Sequence, residues 1–205
     1  AVAAVFALAA LALGWAYYRA ASQDVRVVRA FIPAPEKTNF EFAASPSAGP
    51  VAVSPDGRLV VFAARAGSDQ QVLWVRAMDS VTARPLASTE NGAYPFWSPD
   101  SRTVGFFAGG KLKKIDAAGG PPITLCDAFE GRGGTWNREG VIVFAPGANT
   151  PLHRVPAAGG ASQSVTQLDQ GRSESTHRWP HFLPDGRHFL YLARIGAGGS
   201  PSEGT

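Results

Sequence analysis

Cysteine is almost missing from this chain: among 205 residues there is one, Cys126, so no internal disulfide can form and redox compartment is unreadable. Its place in a predicted outer strand suits a small buried hydrophobe better than a nucleophile. Charge is also sparse. Only 17% of residues are Asp, Glu, Lys or Arg, and the net charge of +3 is scattered. A nucleic-acid binder needs a broad basic stripe with stacking aromatics. The one basic cluster, Lys111, Lys113 and Lys114, reads instead as a solvated strand edge. Catalytic signatures are missing as well. There is no Gly-x-Ser-x-Gly elbow, no His-Glu-x-x-His and no phosphate loop. His177-Arg178-Trp179 opens like a kinase catalytic loop but has Trp where the aspartate base must stand.

What the chain has in quantity is turn formers, 23 Gly and 16 Pro, and a phrase that recurs four times. It reads VAVSPDGRLVVFAA from Val51, PFWSPDSRTVGFFA from Pro95, GTWNREGVIVFA from Gly134 and PHFLPDGRHFLYLA from Pro180. The turns open at Ser54, Ser98, Asn137 and Leu183, which are 44, 39 and 46 residues apart. A period near forty with alternating apolar strands about a tight turn predicts propeller blades. Val53, Trp97, Trp136 and Phe182 close the innermost strand of each repeat. Phe62, Phe106, Phe144 and Tyr191 sit at matching places in the second. Third strands are expected near Val72–Met78, Leu112–Ile115 and Leu152–Val155, and short outer strands near Ile123–Leu125 and Gln163–Val165. The acidic residues Asp56, Asp100, Glu139 and Asp185 all fall in the turn, where capping explains them better than catalysis.

Four antiparallel strands per repeat make one blade, and a blade alone cannot bury both faces. The expected fold is therefore all-β, a partial ring of about four repeats over residues 51–205. Their bounds are near 51–90, 91–130, 131–176 and 177–205, the last incomplete, with more blades expected to follow. Residues 1–18 carry no charge and would span about 27 Å as a helix, close to a bilayer core. With Trp15, Tyr17 and Tyr18 at its end, segment 1–19 reads as a transmembrane helix in preference to a signal peptide. Residues 20–50 read as a stalk with candidate strands at Val25–Ile32 and Phe40–Ala43, one of which could close the ring against the last blade.

The phrase Trp-Ser-Pro-Asp with its Asp-x-x-Gly-Gly strand ends, at 116–120 and nearly copied at 156–160, resembles the TolB-type, WD-like propeller repeat of bacteria over roughly Val51–Arg194. More closely, the helix, the stalk, Tyr94–Asp100, Gly109–Asp116 and His177–Gly186 resemble the C-terminal half of bacterial, eukaryotic-like serine/threonine protein kinases. That resemblance implies a single-pass membrane protein with the propeller extracytoplasmic (periplasmic) and a kinase domain upstream of Ala1. Two alternatives stay open: a TolB-like periplasmic scaffold, and the gating propeller of a prolyl-oligopeptidase-type serine peptidase.

Within the repeat, Tyr94 and Trp179 occupy one equivalent position at the start of the innermost strand, where residues should ring the channel mouth. Loops feeding that mouth carry Glu90, Glu130 and Arg132. Tyr94, Arg132, His177, Arg178 and Trp179 are therefore the candidate site for an unidentified protein or small ligand of acidic or aromatic character. The competing reading packs Trp179 and His181 between blades and pairs the arginines with Glu130 and Glu174. His177 and His181 lack a third metal ligand. No catalytic residue, cofactor, metal or nucleic acid is expected, and a homodimer is allowed.

Overall fold

In a computed structural model of the chain, the described residues are Phe6, Gly14, Trp15, 32–40, 49–66 and 70–196. The chain divides into two compact units, Ala1–Phe31 and Ile32–Thr205. Apart from Phe6, Gly14 and Trp15, the transmembrane helix expected over 1–19 lies outside the described residues. No helix among the described residues is long and apolar enough to cross a membrane.

The second unit is all-β. Its first blade joins β1 (Thr38–Phe40), β2 (Ala52–Val53), β3 (Leu59–Ala66), β4 (Val72–Ala77) and β5 (Ala83–Pro85) in one antiparallel sheet. The second runs β6 (Ala93–Trp97), β7 (Thr103–Ala108), β8 (Lys111–Asp116), β9 (Ile123–Asp127), and the third β10 (Gly134–Trp136), β11 (Val141–Phe144), β12 (His153–Pro156), β13 (Gln163–Ser164). The fourth pairs β14 (Glu174–Phe182) with β15 (Phe189–Ile195). Strands follow one another in space as they do in sequence, as meander blades require.

Among the described residues, the strand that precedes the repeats is Thr38–Phe40, and it pairs with Ala64–Ala66 of the first blade's own β3. Its Phe40 ring meets the Phe62 ring edge-on at 5.0 Å, which anchors it there. Apart from Ile32 and Phe40, the candidate ring-closing strands at Val25–Ile32 and Phe40–Ala43 lie outside the described residues. One expectation is corrected: the basic cluster is not on a sheet edge, because β8 is paired on both sides. Lys111 pairs with Asp127 across to β9, and Lys114 donates to the Ala157 carbonyl of the next blade at 2.8 Å.

The repeated turn works through its side chains. Ser54 Oγ donates to Asp56 Oδ1 at 2.5 Å and accepts from the Leu59 N–H at 2.9 Å, while Asp56 Oδ1 accepts from the Arg58 N–H at 3.0 Å. Ser98, Asp100, Arg102 and Thr103 repeat the pattern. In the third turn Asn137 Oδ1 caps both Glu139 and Val141, and in the fourth Asp185 caps Arg187 and His188. Capping thus falls to Asp56, Asp100 and Asp185, with Asn137 in place of Glu139.

Blades are held together by apolar faces. Val61, Ala63, Leu73 and Val75 of the first pack against Trp97, Val104, Phe106 and Ile115 of the second. Phe96, Phe107, Leu112 and Leu125 meet Ile142, Phe144 and Val155 of the third, and Val143 and Leu152 meet Phe182 and Phe189 of the fourth. Polar ties cross the same seams: Trp97 Nε1 donates to the Ala52 carbonyl at 2.9 Å, and Asn137 Nδ2 to that of Gly186 at 2.9 Å. Cys126 lies half-buried at the second seam, where burial and then the Asp127 carboxylate push its thiol up to about 11.

Trp97 is nearly fully buried, whereas Trp136 is only partly so. Trp97→Ala should therefore cost about 3–5 kcal/mol of stability and Trp136→Ala measurably less. Urea melts of both variants check the order, and equal losses would contradict the blade register.

The turn carboxyls predict an acid response. The Ser54 hydroxyl, then the Arg58 N–H, holds the Asp56 carboxyl below its ordinary range, and the Ser98 hydroxyl does the same for Asp100. Because these bonds favour the ionised form, their stabilisation is complete above the ordinary carboxyl pKa of about 3.9 and is lost as pH falls through the lowered native value. Asp100→Asn should fold, since an amide oxygen can still accept from the Ser98 hydroxyl and the Arg102 N–H, and should flatten the loss of stability below about pH 4. Urea midpoints across that range test it; an unchanged slope would argue against it.

Candidate functional site

The innermost strands face a common cavity of about 690 Å³. Each blade sends one short segment to it: Gly49–Val51, Tyr94-Pro95, Gly133-Gly134 and Trp179–His181. Tyr94, Gly133 and Trp179 stand at one repeat position, three residues before Trp97, Trp136 and Phe182, while Gly49 falls four before Val53; all four have positive φ, Gly49 at 83°, Tyr94 at 48°, Gly133 at 91° and Trp179 at 52°.

In β6 the register slips between Ala93 and Phe96, and in β14 between Arg178 and His181. Tyr94-Pro95 and Trp179-Pro180 therefore bulge out of their ladders. Such a bulge commonly carries glycine in the left-handed region, and a bulky residue there is an outlier. Conformations of this kind cost of order 1–3 kcal/mol and persist only where surroundings enforce them. The surroundings here are glycines of the preceding blade. A Cβ on Gly49 would stand 2.7 Å from the Tyr94 Cα and from its ring, and one on Gly133 would stand 3.0 Å from the Trp179 ring. Aromatic and glycine thus alternate from blade to blade around the mouth. Trp179 is locked further by its N–H, which leaves its own sheet to donate to the Arg132 carbonyl at 3.0 Å.

Arg132 lies with Cζ 5.9 Å from the Tyr94 ring centroid, a cation–π arrangement, and its guanidinium also reaches the Glu130 carboxylate at 3.9 Å. Arg178 donates from one terminal nitrogen to the Ala148 carbonyl at 2.7 Å. Burial lowers the Arg178 pKa, the Arg194 and Arg132 guanidiniums lower it further, and Glu130 opposes them.

Tyr94 and Trp179 both line the cavity, Tyr94 buried and Trp179 49% exposed, whereas Arg132 lies beside the Tyr94 ring in an adjoining cavity of about 360 Å³ and Arg178 lines neither. That exposure distinguishes Trp179 from a ring packed between blades. His177 does not join them and is corrected. It is fully buried, with Nδ1 2.8 Å from Thr166 Oγ1 and Nε2 2.9 Å from Glu174 Oε2, its ring against Tyr191. Neighbouring strand residues point to opposite sides, so His177 and Arg178 face apart. Glu174 serves His177 and the Asp169 N–H, not an arginine at the mouth, and its carboxyl is held low by that N–H first and His177 second. His181 lines the cavity, apart from His177. Phe129, 83% exposed beside Glu130, is a rim residue that sequence reasoning missed; the clue was its place in the same loop as Glu130 and Arg132.

No protein-family model matches the chain, and no curated protein matches it. Solved structures do. An Agrobacterium tumefaciens structure assigned to TolB is 16% identical over 71% of this chain and 53% of its own, with a TM-score of 0.61. TolB from Acinetobacter baumannii is 14% identical over 72% of this chain and 38% of its own, at 0.58. The fold is a TolB-type, WD-like β-propeller. A puromycin hydrolase complexed with PGG contains a similar propeller, 18% identical over 71% of this chain and 25% of its own, at 0.54. At these identities the likeness is one of fold. The chain spans about half the length of the first structure and less of the other two.

The TolB-type mouth makes a sharp mutational prediction. Trp179→Gly accepts the positive φ that Trp179→Ala must strain to hold, so the glycine variant should be the more stable by about 1 kcal/mol. Thermal or urea melts of the pair decide it; a less stable glycine variant would mean that the backbone is not held left-handed in solution.

Proposed function

We propose that this chain is a non-catalytic binding propeller that holds a protein or ligand at its channel mouth. In that reading it is the extracytoplasmic sensing part of a membrane-anchored bacterial serine/threonine protein kinase. The observation that carries the binding reading is the mouth itself. Exposed Trp179 and buried Tyr94 are held in strained bulges beside Arg132 and Arg178, and Trp, Tyr and Arg are the residues that dominate binding energy at interfaces. The kinase attachment rests on the sequence resemblance of Tyr94–Asp100, Gly109–Asp116 and His177–Gly186 alone. A propeller shared with a hydrolase favours a second reading, in which the same mouth gates substrate to a serine hydrolase domain. A TolB-like scaffold with no enzyme attached is the third.

The reading frame beyond both ends separates the three. Kinase motifs before Ala1, a Gly-x-Ser-x-Gly elbow after Thr205, or neither are the respective outcomes. Binding is tested by placing a photo-cross-linking residue at position 179 and, as a control, at the exposed Val81 between β4 and β5. Position 179 of the intact membrane-bound protein should give a discrete adduct that position 81 does not. Equal labelling from both, or none from 179, would remove the binding reading.

A further inference from the structure

The geometry points to a second binding site, in the adjoining cavity of about 360 Å³, for a free amino acid with a large apolar side chain. Arg132 takes its carboxylate, Glu130 its ammonium and Phe129 its side chain. The inference does not depend on the mouth reading, because Tyr94 is the only residue that lines both cavities.

The site is built on a strap, Ala128–Arg132, that the fold pins along its length. The Ala128 N–H donates to the Gly110 carbonyl at 2.9 Å, the Glu130 N–H to that of Pro146 at 3.1 Å and the Arg132 N–H to that of Ala145 at 3.0 Å. Between the two charged residues, Gly131 lies directly on the Phe107 ring. A Cβ there would stand 2.0 Å from it, so a side chain at this place would push the strap off the blade. Charges on a pinned strap are in place before a ligand arrives, which lowers the ordering cost of binding.

Arg132 is fixed there but not satisfied. One terminal nitrogen donates to the Glu130 and Gly131 carbonyls at 3.3 and 3.2 Å, and the guanidinium carbon stands 5.9 Å from the Tyr94 ring centroid. Among the described residues, Nε and the other terminal nitrogen donate to no acceptor. The Glu130 carboxylate is 3.9 Å from that second nitrogen, whereas a charge-assisted bond closes at about 2.7–2.9 Å. That carboxylate is more than half exposed and accepts no hydrogen bond among the described residues. A cationic donor and an anionic acceptor stand side by side, each with its bond unmade.

Such a pair is the complement of a zwitterion. A lone anion on Arg132 would be opposed by Glu130, and a lone cation on Glu130 by Arg132. An α-amino acid answers both and carries its two charges at a short fixed separation. Phe129 lines the same cavity and is 83% exposed, a bare ring face for the ligand's side chain. Size agrees. Cavities that take organic ligands begin near about 300 Å³, so this one holds a single amino acid and not a peptide.

The probe is L-phenylalanine, titrated into the full chain by calorimetry beside three analogues. These are 3-phenylpropanoate, which lacks the ammonium, L-phenylalanine amide, which lacks the carboxylate, and L-alanine, which lacks the ring. Phenylalanine should bind roughly tenfold or more tightly than each, as loss of a charge-assisted bond or of a covered ring implies. Glu130→Gln should bring phenylalanine down to the level of phenylpropanoate, and Phe129→Ala to that of alanine; both side chains are exposed, so both variants should fold. Arg132→Gln should bring it to the level of the amide. Should that variant fail to fold, the comparison of phenylalanine with its amide tests the same bond. Equal binding of phenylalanine and phenylpropanoate would make this an anion site and overturn the amino-acid inference. Binding unchanged in both Glu130→Gln and Phe129→Ala would place the ligand elsewhere and overturn the site. No binding of phenylalanine would overturn it as well, leaving Arg132 and Glu130 a surface ion pair.

Discussion

Everything in this propeller depends on blade-against-blade burial. A sheet of four short strands has two apolar faces and no means of covering either by itself. Val104, Phe106 and Ile115 are buried only because Val61, Ala63 and Val75 of the preceding blade lie on them, and the same relation recurs at the next seam. Four of the hydrogen bonds that cross the seams join residues 45 to 49 apart in sequence: Asp56 N–H to Ser101 Oγ, Trp97 Nε1 to Ala52, Phe182 N–H to Thr135 Oγ1, Asn137 Nδ2 to Gly186. They set the register in which apolar faces meet. Burial supplies the driving force, and these bonds keep buried polar groups satisfied.

The site is a consequence of that packing at its most crowded point. Near the channel the segments approach closely enough for glycine of one blade to receive the backbone and ring of the next. Gly49 and Gly133 accept positive φ at little cost, but Tyr94 and Trp179 do not. Their strain is held by contacts that a blade in isolation would lack, so the mouth exists only in the assembled stack. This is a physical reason for a binding surface to lie at the mouth, and it ties the orientation of Trp179 to the seam between the third and fourth blades.

Much of the fold was legible because turn chemistry and apolar alternation are local. Ser-Pro-Asp-Gly specifies its own hairpin, and the four turn positions place every inner and second strand. The ends of the site were legible only in part. That Tyr94 and Trp179 share a repeat position could be read, and the equivalent place in the third repeat holds Gly133, a residue type that marks positive φ. The burial of His177 was not legible. It depends on Thr166 arriving from a loop without repeat character and on Glu174 reaching His177 from the start of the same strand. The pairing of β1 with β3 was hidden for a similar reason: three residues outside the repeat find an edge that only the folded blade creates.

The first blade shows how far the repeat can be bent. Opposite Val60, Val104 and Ile142 the third strands place Arg76, Ile115 and Val155, so a guanidinium stands where the next two blades put aliphatic side chains. Arg76 is nearly fully buried, and its Nε has no hydrogen-bond partner. That blade's face is also covered differently, by Ile32, Phe40 and Val51 instead of by a neighbouring blade. A buried guanidinium nitrogen without a partner is costly where an aliphatic group would fit, so the aliphatic replacements in the other blades suit a blade seam better. The departure at Arg76 therefore lies on a face that no other described blade covers. Identity of packing is enforced where blade meets blade and relaxed where a different segment of chain does the covering.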